Sequence, residues 1–497
     1  DAKYVEEICA LLRQLEPADD VVWPAEEEQY LFSKASFVLL SGHGSEELTT
    51  ADGTAETPRC YILNDRGNDR TLLFVHNGSR SYENKDFRLI GALPDKKKLV
   101  LFLCVAVNLL LLGYFKYFNF IIQSANSVLG WMWDAGPIAA RSIALPIGIS
   151  FYTFQALSYV IDVYRGEVKV QKNYIHMLLY VSFFPQLIAG PIVKYHDIDR
   201  QIESRTVTAD KFAYGVYRFS CGMGKKVLLS NAFAEVVDKV YSYELSEVSA
   251  PLLWLAALLY MLQIYFDFSG YSDMAIGLGK MFGFDFQENF NLPYISTSVK
   301  EFWRRWHISL SSWFRDYLYI PLGGNRKGTM KTYRNLLIVF FLTGMWHGAG
   351  WTFIIWGLFH GLFQILERLF LGKALAKTKP IVGGIYTFLV VYFGWIFFRA
   401  ETFGQAVSFI KYMFVPHEST IIAASHVDRR LAMLLVLGIL FCGPVQLLLE
   451  KLLKRSLISE QDFTASLPCT VCCMAMLWLS IMMLINNTYN PFIYFRF

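Results

Sequence analysis

Two histidines in this chain stand where an imidazole could do chemistry. His307 lies in "EFWRRWHISL" (301–310), beside Trp306 and close to Arg304 and Arg305, and His347 lies in "FLTGMWHGAGW" (341–351), between Trp346 and Gly348 in a strongly apolar run. An uncharged imidazole can accept the proton of a hydroxyl, the work of a general base. A guanidinium nearby offers a rigid fork of donors suited to phosphate or carboxylate oxygens. The plainer reading has His347 packed in a core, the tryptophans anchored at a membrane interface and the arginines snorkelling to headgroups. The residues alone leave both open.

Further polar groups occur where lipid-facing helices avoid them. "IYFDFSGYSDMAIGLGKMFGF" (264–284) carries Asp267, Ser269, Ser272 and Asp273 at membrane-like depth, with four glycines. Ionisable groups there face a water-filled cavity or a partner, so these acids either pair with Lys or Arg of neighbouring helices or line a substrate path. Gly344 and Gly348, on one helix face, would let another backbone or a thin acyl chain approach His347. His360 is also followed by a glycine, but faces elsewhere on a continuous helix and is read as structural.

The elements that must hold these groups are helices. With residues 300–318 as one helix at 100° per residue, Trp303, Trp306, Leu310, Trp313 and Tyr317 gather on one arc and Arg304, His307, Ser311 and Arg315 on another. Such a helix would lie in the interfacial plane or line a polar cavity. The chain has 497 residues, 54% hydrophobic and 18% charged, below the roughly 25% of soluble domains. Apolar runs at 99–115, 251–266, 336–346 continuing into 351–369, 385–398, 431–449 and 467–485 approach spanning length, with shorter ones at 145–161, 174–193 and 212–229. The expectation is an all-α polytopic membrane protein with roughly ten to twelve membrane-embedded helices.

Charge divides the chain. Residues 1–94 hold 17 Asp plus Glu against 9 Lys plus Arg, a balance of −8, so with +4 overall the remainder carries +12. "LPDKKKLV" (93–100) marks the boundary, with lysines fitting a cytoplasmic flank. Residues 1–94 are expected to be a small soluble acidic segment of unknown role, with an amphipathic stretch at 4–15 and turn signals at "NDRGND" and "HNGS". The eight cysteines describe no disulfide framework, and "CTVCC" has no second pair or histidine at zinc spacing, so no metal is expected. "GGNRKGT" and "GLGKMFG" miss the nucleotide-loop spacings, and basic residues are not interleaved with aromatics over a soluble surface, which speaks against nucleic acid.

Several long blocks in order resemble the membrane-bound O-acyltransferase family, in the bacterial branch that includes alginate O-acetylation and teichoic acid D-alanyl transfer proteins. They are "LPIGISFYTFQALSYVIDVYRG", "FFPQLIAGPIVKY", "YFDFSGYSDMAIGLGKMFGF", "NFNLPY", "EFWRRWHISLSSWFRDYLYIPLGGNRKG", "WHGAGWTFIIWGLFHG" and the closing "NPFIYFRF", together covering roughly residues 96–497. The resemblance implies a ring of helices around a central funnel over residues 95–497. His347 would be the essential catalytic histidine and His307 the second functional one. Arg304, Ser311 and Arg315 of the basic stripe, with Trp346 and Asp267, would line the substrate path.

The same resemblance implies that a coenzyme A or carrier-protein thioester donates from the cytoplasm, with no permanently bound cofactor. The acceptor would be an envelope polysaccharide or teichoic acid, reached directly or through a membrane-anchored relay protein, at the bacterial cytoplasmic membrane. This requires His347 to be reachable from both sides of a lipid-enclosed chamber. Family members usually open with about two hydrophobic helices where residues 1–94 here are polar and acidic, which a fusion, a divergent start or a chimeric reading frame would explain. A transporter or flippase for an envelope precursor, with the charged stripe as its path, is the alternative from another functional class.

Overall fold

The computed structural model describes residues 59–65, 70–76, 89–90, 94–132, 138–187, 190–453, 467–486 and 492. The chain divides into two units, Asp1–Phe102 and Leu103–Phe497. In the first, β1 (Arg59–Asp65), β2 (Arg70–His76) and β3 (Leu89–Ile90) form an antiparallel sheet in that order, with Asp65 opposite Arg70 across the "NDRGND" turn signal. The segment that composition left without a fold therefore contains strand structure. The stretch 4–15 and residues 77–79 of "HNGS" lie outside the described residues.

The remainder is built from helices, as an apolar polytopic chain requires, because a backbone in lipid must satisfy its own hydrogen bonds. α1 (Pro94–Leu112) runs through a π-turn at Gly113–Tyr117 into α2 (Phe118–Met132), a continuous apolar stretch of 34 residues from Lys96 to Leu129. The apolar run read from sequence stops at residue 115 because Lys116 interrupts it, yet the helix continues past that lysine. Then come α3 (Ile149–Arg165), the polar α4 (Tyr195–Glu203), α5 (Ala209–Gly224) with a π-turn at Lys225–Ser230, α6 (Asn231–Ser242) and α7 (Ala250–Met281). Four helices among the described residues are long and apolar enough to cross a membrane, or five with a bent pair counted as one span. That is fewer than the ten to twelve embedded, mostly spanning helices expected from sequence; the other described helices are shorter or more polar.

α7, 32 residues long, is the central spine and is buried along most of its length. Two glycine pairs bring α5 against it backbone to backbone. A Cβ on Gly215 would lie 2.6 Å from the Gly277 carbonyl oxygen, and one on Gly222 would lie 2.4 Å from that of Gly270. This contact aligns the acids of α7 with cations of α5 and its π-turn. Asp273 meets Arg218 at 2.5 Å and Lys225 at 2.6 Å, and Asp267 meets Lys226 at 2.5 Å.

The segment 300–318 is not one helix. α8 (Val299–Arg305) and α9 (Ile308–Phe314) are separated at His307, which has φ 45° and ψ 57°, and a π-turn follows at Arg315–Tyr319. The expected aromatic arc is buried but divided: Trp303 and Trp306 join the core around α7, whereas Leu310, Trp313 and Tyr317 join a second core with α3. α10 (Thr329–His347) ends at the second histidine, and α11 (Trp351–Leu366) begins after Gly348–Gly350, so His347 and His360 do not share a helix. α12 (Pro380–Arg399), the bent pair α13 (Arg429–Phe441) and α14 (Pro444–Leu453), and α15 (Leu467–Asn486) follow. "CTVCC" lies on α15.

Candidate active site

The break between α8 and α9 is held from outside. An extended segment at 289–291 pairs with 305–308: Asn291 N donates to Arg305 O and Ile308 N donates to Asn289 O, both at 2.9 Å. His307 is clasped between these two bonds in the left-handed region, a conformation that non-glycine residues adopt at a cost and that recurs at functional sites.

Asn289 also fixes the imidazole. Its Oδ1 accepts from Ser309 N at 3.2 Å and from Ser309 Oγ at 2.9 Å, while its Nδ2 donates to Ser272 Oγ at 3.1 Å. A backbone N–H can only donate, so the atom facing it is the amide oxygen. That oxygen lies 3.1 Å from His307 Nδ1, so Nδ1 carries the hydrogen and Nε2 keeps its lone pair. Nε2 is buried with no hydrogen-bond partner among the described residues.

His347 meets His307 across Trp346. The two imidazole centroids are 6.3 Å apart, and Trp346 lies 5.6 Å from His307 and 4.9 Å from His347. Trp356 at 5.0 Å and Phe398 at 5.2 Å wall the other sides of His347, and Phe268 stands edge-on to His307 at 4.7 Å. His347 Nε2 is also buried without a hydrogen-bond partner among the described residues. An oxygen bonded to an imidazole nitrogen sits about 2.6–3.2 Å from it, so the ring spacing suits a small substrate group held between the two. The enclosure is tighter than a chamber open to both sides, since His307 is 0% and His347 6% exposed.

α10 and α11 are pressed together by glycines. A Cβ on Gly344 would lie 2.3 Å from Phe353 O, and one on Gly357 would lie 2.2 Å from Phe340 O. What approaches beside His347 is therefore the backbone of α11, and the Phe353 ring occupies the side of Gly348. His360 is fully buried between Trp303 and Trp356.

The other residues singled out from sequence are dispersed. Trp346 is at the site, with its indole N–H on Ser150 O at 3.3 Å. Asp267 is buried against Lys226 and Ser230 Oγ. Arg304 is exposed on α8, and Arg315 is exposed and bonded to its neighbour Asp316 at 2.6 Å. Ser311 is half-buried on α9, its N–H closing the first turn onto His307 O. The stripe joining Arg304, His307, Ser311 and Arg315 does not form, because the left-handed residue turns the second helix away from the first. Asn289 was missed, although it opens the quoted "NFNLPY" block.

A cavity of about 670 Å³ lies beside α7, between α5 and the α13–α15 elements. Leu434, Leu437, Phe441 and Met476 form part of its apolar wall, with Arg218, Lys225 and Asp273 on its polar side. Asn289 and Ser272 line it as well, which brings this space within one side chain of His307. Among the described residues, Asp162, Glu167 and His196 come close enough to hold a metal ion, away from the two histidines. His196 there is clasped by Asp162 at 3.0 Å and Asp197 at 3.2 Å, and the Asp162 and Asp197 carboxylates push its imidazole up to about 10.

Comparison with known proteins gives a consistent picture. Residues 167–400 match the model of the membrane-bound O-acyltransferase family. The chain is 50% identical over 310 residues to the probable alginate O-acetylase of Azotobacter vinelandii, covering 62% of each chain. It is 38% identical over 348 residues to the peptidoglycan O-acetyltransferase of Helicobacter pylori, covering 64% of this chain and 65% of the relative. With the teichoic acid D-alanyltransferase of Bacillus subtilis the identity is 29% over 277 residues, covering 52% and 69%. The chain spans about three fifths of the length of the alginate O-acetylases it matches.

Proposed function

The chain carries a domain of the membrane-bound O-acyltransferase family, and on that premise we propose that it moves an acyl group, acetyl or similar, from a cytoplasmic thioester to a hydroxyl of an extracytoplasmic envelope polysaccharide or of a relay partner. Its place is the bacterial cytoplasmic membrane. The observation that carries this reading is the pair of enclosed imidazoles, 6.3 Å apart, each with a buried Nε2 lacking a partner among the described residues. Unpaired buried nitrogens are costly in a core and useful where a substrate supplies the partner.

His347 takes the hydroxyl proton as the acceptor oxygen bonds to the thioester carbonyl carbon. The carbon–sulfur bond then breaks, the acyl group stays on the acceptor as an ester, and the proton returns to the departing sulfur, leaving a free thiol. A positioned base supplies about 10²–10⁴ of the rate. With Nδ1 engaged by Asn289, His307 Nε2 can only accept a hydrogen bond while the ring is neutral. Its role is therefore to hold a neighbouring hydroxyl of the acceptor rather than to donate to the oxyanion. Arg304, exposed on α8, takes no part in that step.

Purified protein given labelled coenzyme A and carrier-protein thioesters should discharge one of them onto a polysaccharide acceptor. His347→Ala should slow discharge about 10²–10⁴-fold while remaining folded in detergent, and His307→Ala should slow it about 10²-fold or more. Undiminished turnover in His347→Ala overturns the reading. Passage of a labelled precursor across vesicles without acyl turnover would point to a transporter instead.

A further inference from the structure

A lysine sits inside the apolar stretch from Lys96 to Leu129, in the π-turn Gly113–Tyr117 between α1 and α2. An ammonium at such depth needs partners. The partners of Lys116 are at the end of the helix that carries His347: its Nζ donates to Trp346 O at 2.5 Å and reaches His347 O at 3.5 Å, with Ser150 Oγ at 3.1 Å. The adjacent Tyr117 donates its hydroxyl to Met345 O at 2.5 Å.

These contacts complete an account. An α-helix leaves its last four carbonyls without intrahelical partners. In α10 they are those of residues 344–347. Gly348 N reaches Gly344 O at 3.4 Å, Tyr117 satisfies Met345 O, and Lys116 covers Trp346 O and His347 O. A cation at a helix C-terminus also meets the negative end of the macrodipole. Trp346 is tied a second time, through its indole to Ser150 O. Three linked residues thus pin the chain at the point where the imidazole emerges.

We infer that Lys116 and Tyr117 form a clamp on the carbonyl end of α10 that holds His347 in its working position, which makes Lys116 a positioning residue for acyl transfer. This rests on the reading of His347 as the base. Small misplacements of a reacting group cost heavily, about 10²-fold for 1 Å. Release of the clamp therefore lowers the chemical step without weakening donor binding.

The experiment compares Lys116→Met with wild type in the full chain, reading kcat, donor KM and the rates at which diethyl pyrocarbonate modifies His347 and His307, each followed by peptide mass spectrometry. The expected result is a kcat lower by about tenfold or more with donor KM within about twofold, and a His347 modification rate raised by about threefold while that of His307 stays unchanged. An unchanged kcat overturns the inference, as does a change in modification that is equal at both histidines. Should Lys116→Met fail to fold, Tyr117→Phe removes a single oxygen and is expected to lower kcat about threefold; no loss there overturns the clamp. His347→Ala is assayed in parallel. Wild-type activity in that variant defeats the base assignment itself, whereas a strongly slowed His347→Ala beside a fully active Lys116→Met defeats only the clamp.

Discussion

At His307 the hydrogen is placed by Asn289, whose side-chain oxygen faces the ring Nδ1 and both the N–H and hydroxyl of Ser309. Asn289→Leu would bury those donors without an acceptor, each costing about 1–3 kcal/mol. It would also free the imidazole to turn. Turnover in Asn289→Leu should fall about 10²-fold with a lowered melting temperature, and Asn289→Asp, which keeps an oxygen at that point, should retain more activity than the leucine variant. Wild-type turnover in Asn289→Leu would contradict this assignment. The two histidines stand out in sequence because they are ionisable groups in aromatic, apolar runs. Asn289 does not, and Lys116, although also an ionisable group in an aromatic, apolar run, gives no sign of its partner, because the meaning of both comes from contacts with residues 18 and 230 positions away.

At the scale of elements, the site is made by interruptions. A uniform helical wheel over 300–318 places the aromatic residues on buried positions, as the structure has them, but it cannot foresee that His307 turns left-handed. That turn depends on bonds from the distant segment 289–291. The π-turns are equally silent in sequence. Two of them put lysines onto partners in another element: Lys116 onto the end of α10, Lys225 and Lys226 onto the acids of α7. The glycines were legible as small residues, but not which surface they admit. Gly344→Ala or Gly357→Ala would drive a Cβ into a backbone carbonyl, and neither helix can retreat without moving His347. Each is expected to cost about 1–3 kcal/mol of stability and to lower kcat, measured by thermal denaturation in detergent alongside turnover.

Across the whole molecule, composition was enough to indicate an all-α membrane protein, and the acids at membrane depth were enough to indicate a polar interior. The partners of those acids were not foreseeable, since Asp267 and Asp273 are matched by Lys226, Arg218 and Lys225 only because α5 lies against α7 through its glycines. Outside the spans, His196 joins α4 to Asp162 of α3, which also accepts from Tyr317 OH at 2.7 Å. Because the folded imidazole is held up at about 10, against about 6.5 when unfolded, its stabilisation is complete below about 6.5 and is lost as pH rises through about 10. The melting temperature should therefore decline between pH 7 and 10 in the wild type and less steeply in His196→Gln; equal slopes would show that the clasp contributes nothing.

The central claim is that His307 and His347 serve one reaction in one enclosure. A double-mutant cycle on acyl transfer tests it most directly, with turnover measured for His347→Ala, His307→Ala and the double variant on the same donor and acceptor. Groups that act as a unit give strongly non-additive losses, so the double variant should be no slower than His347→Ala alone. Losses that multiply, or a His347→Ala enzyme that still transfers at the wild-type rate, would contradict the account.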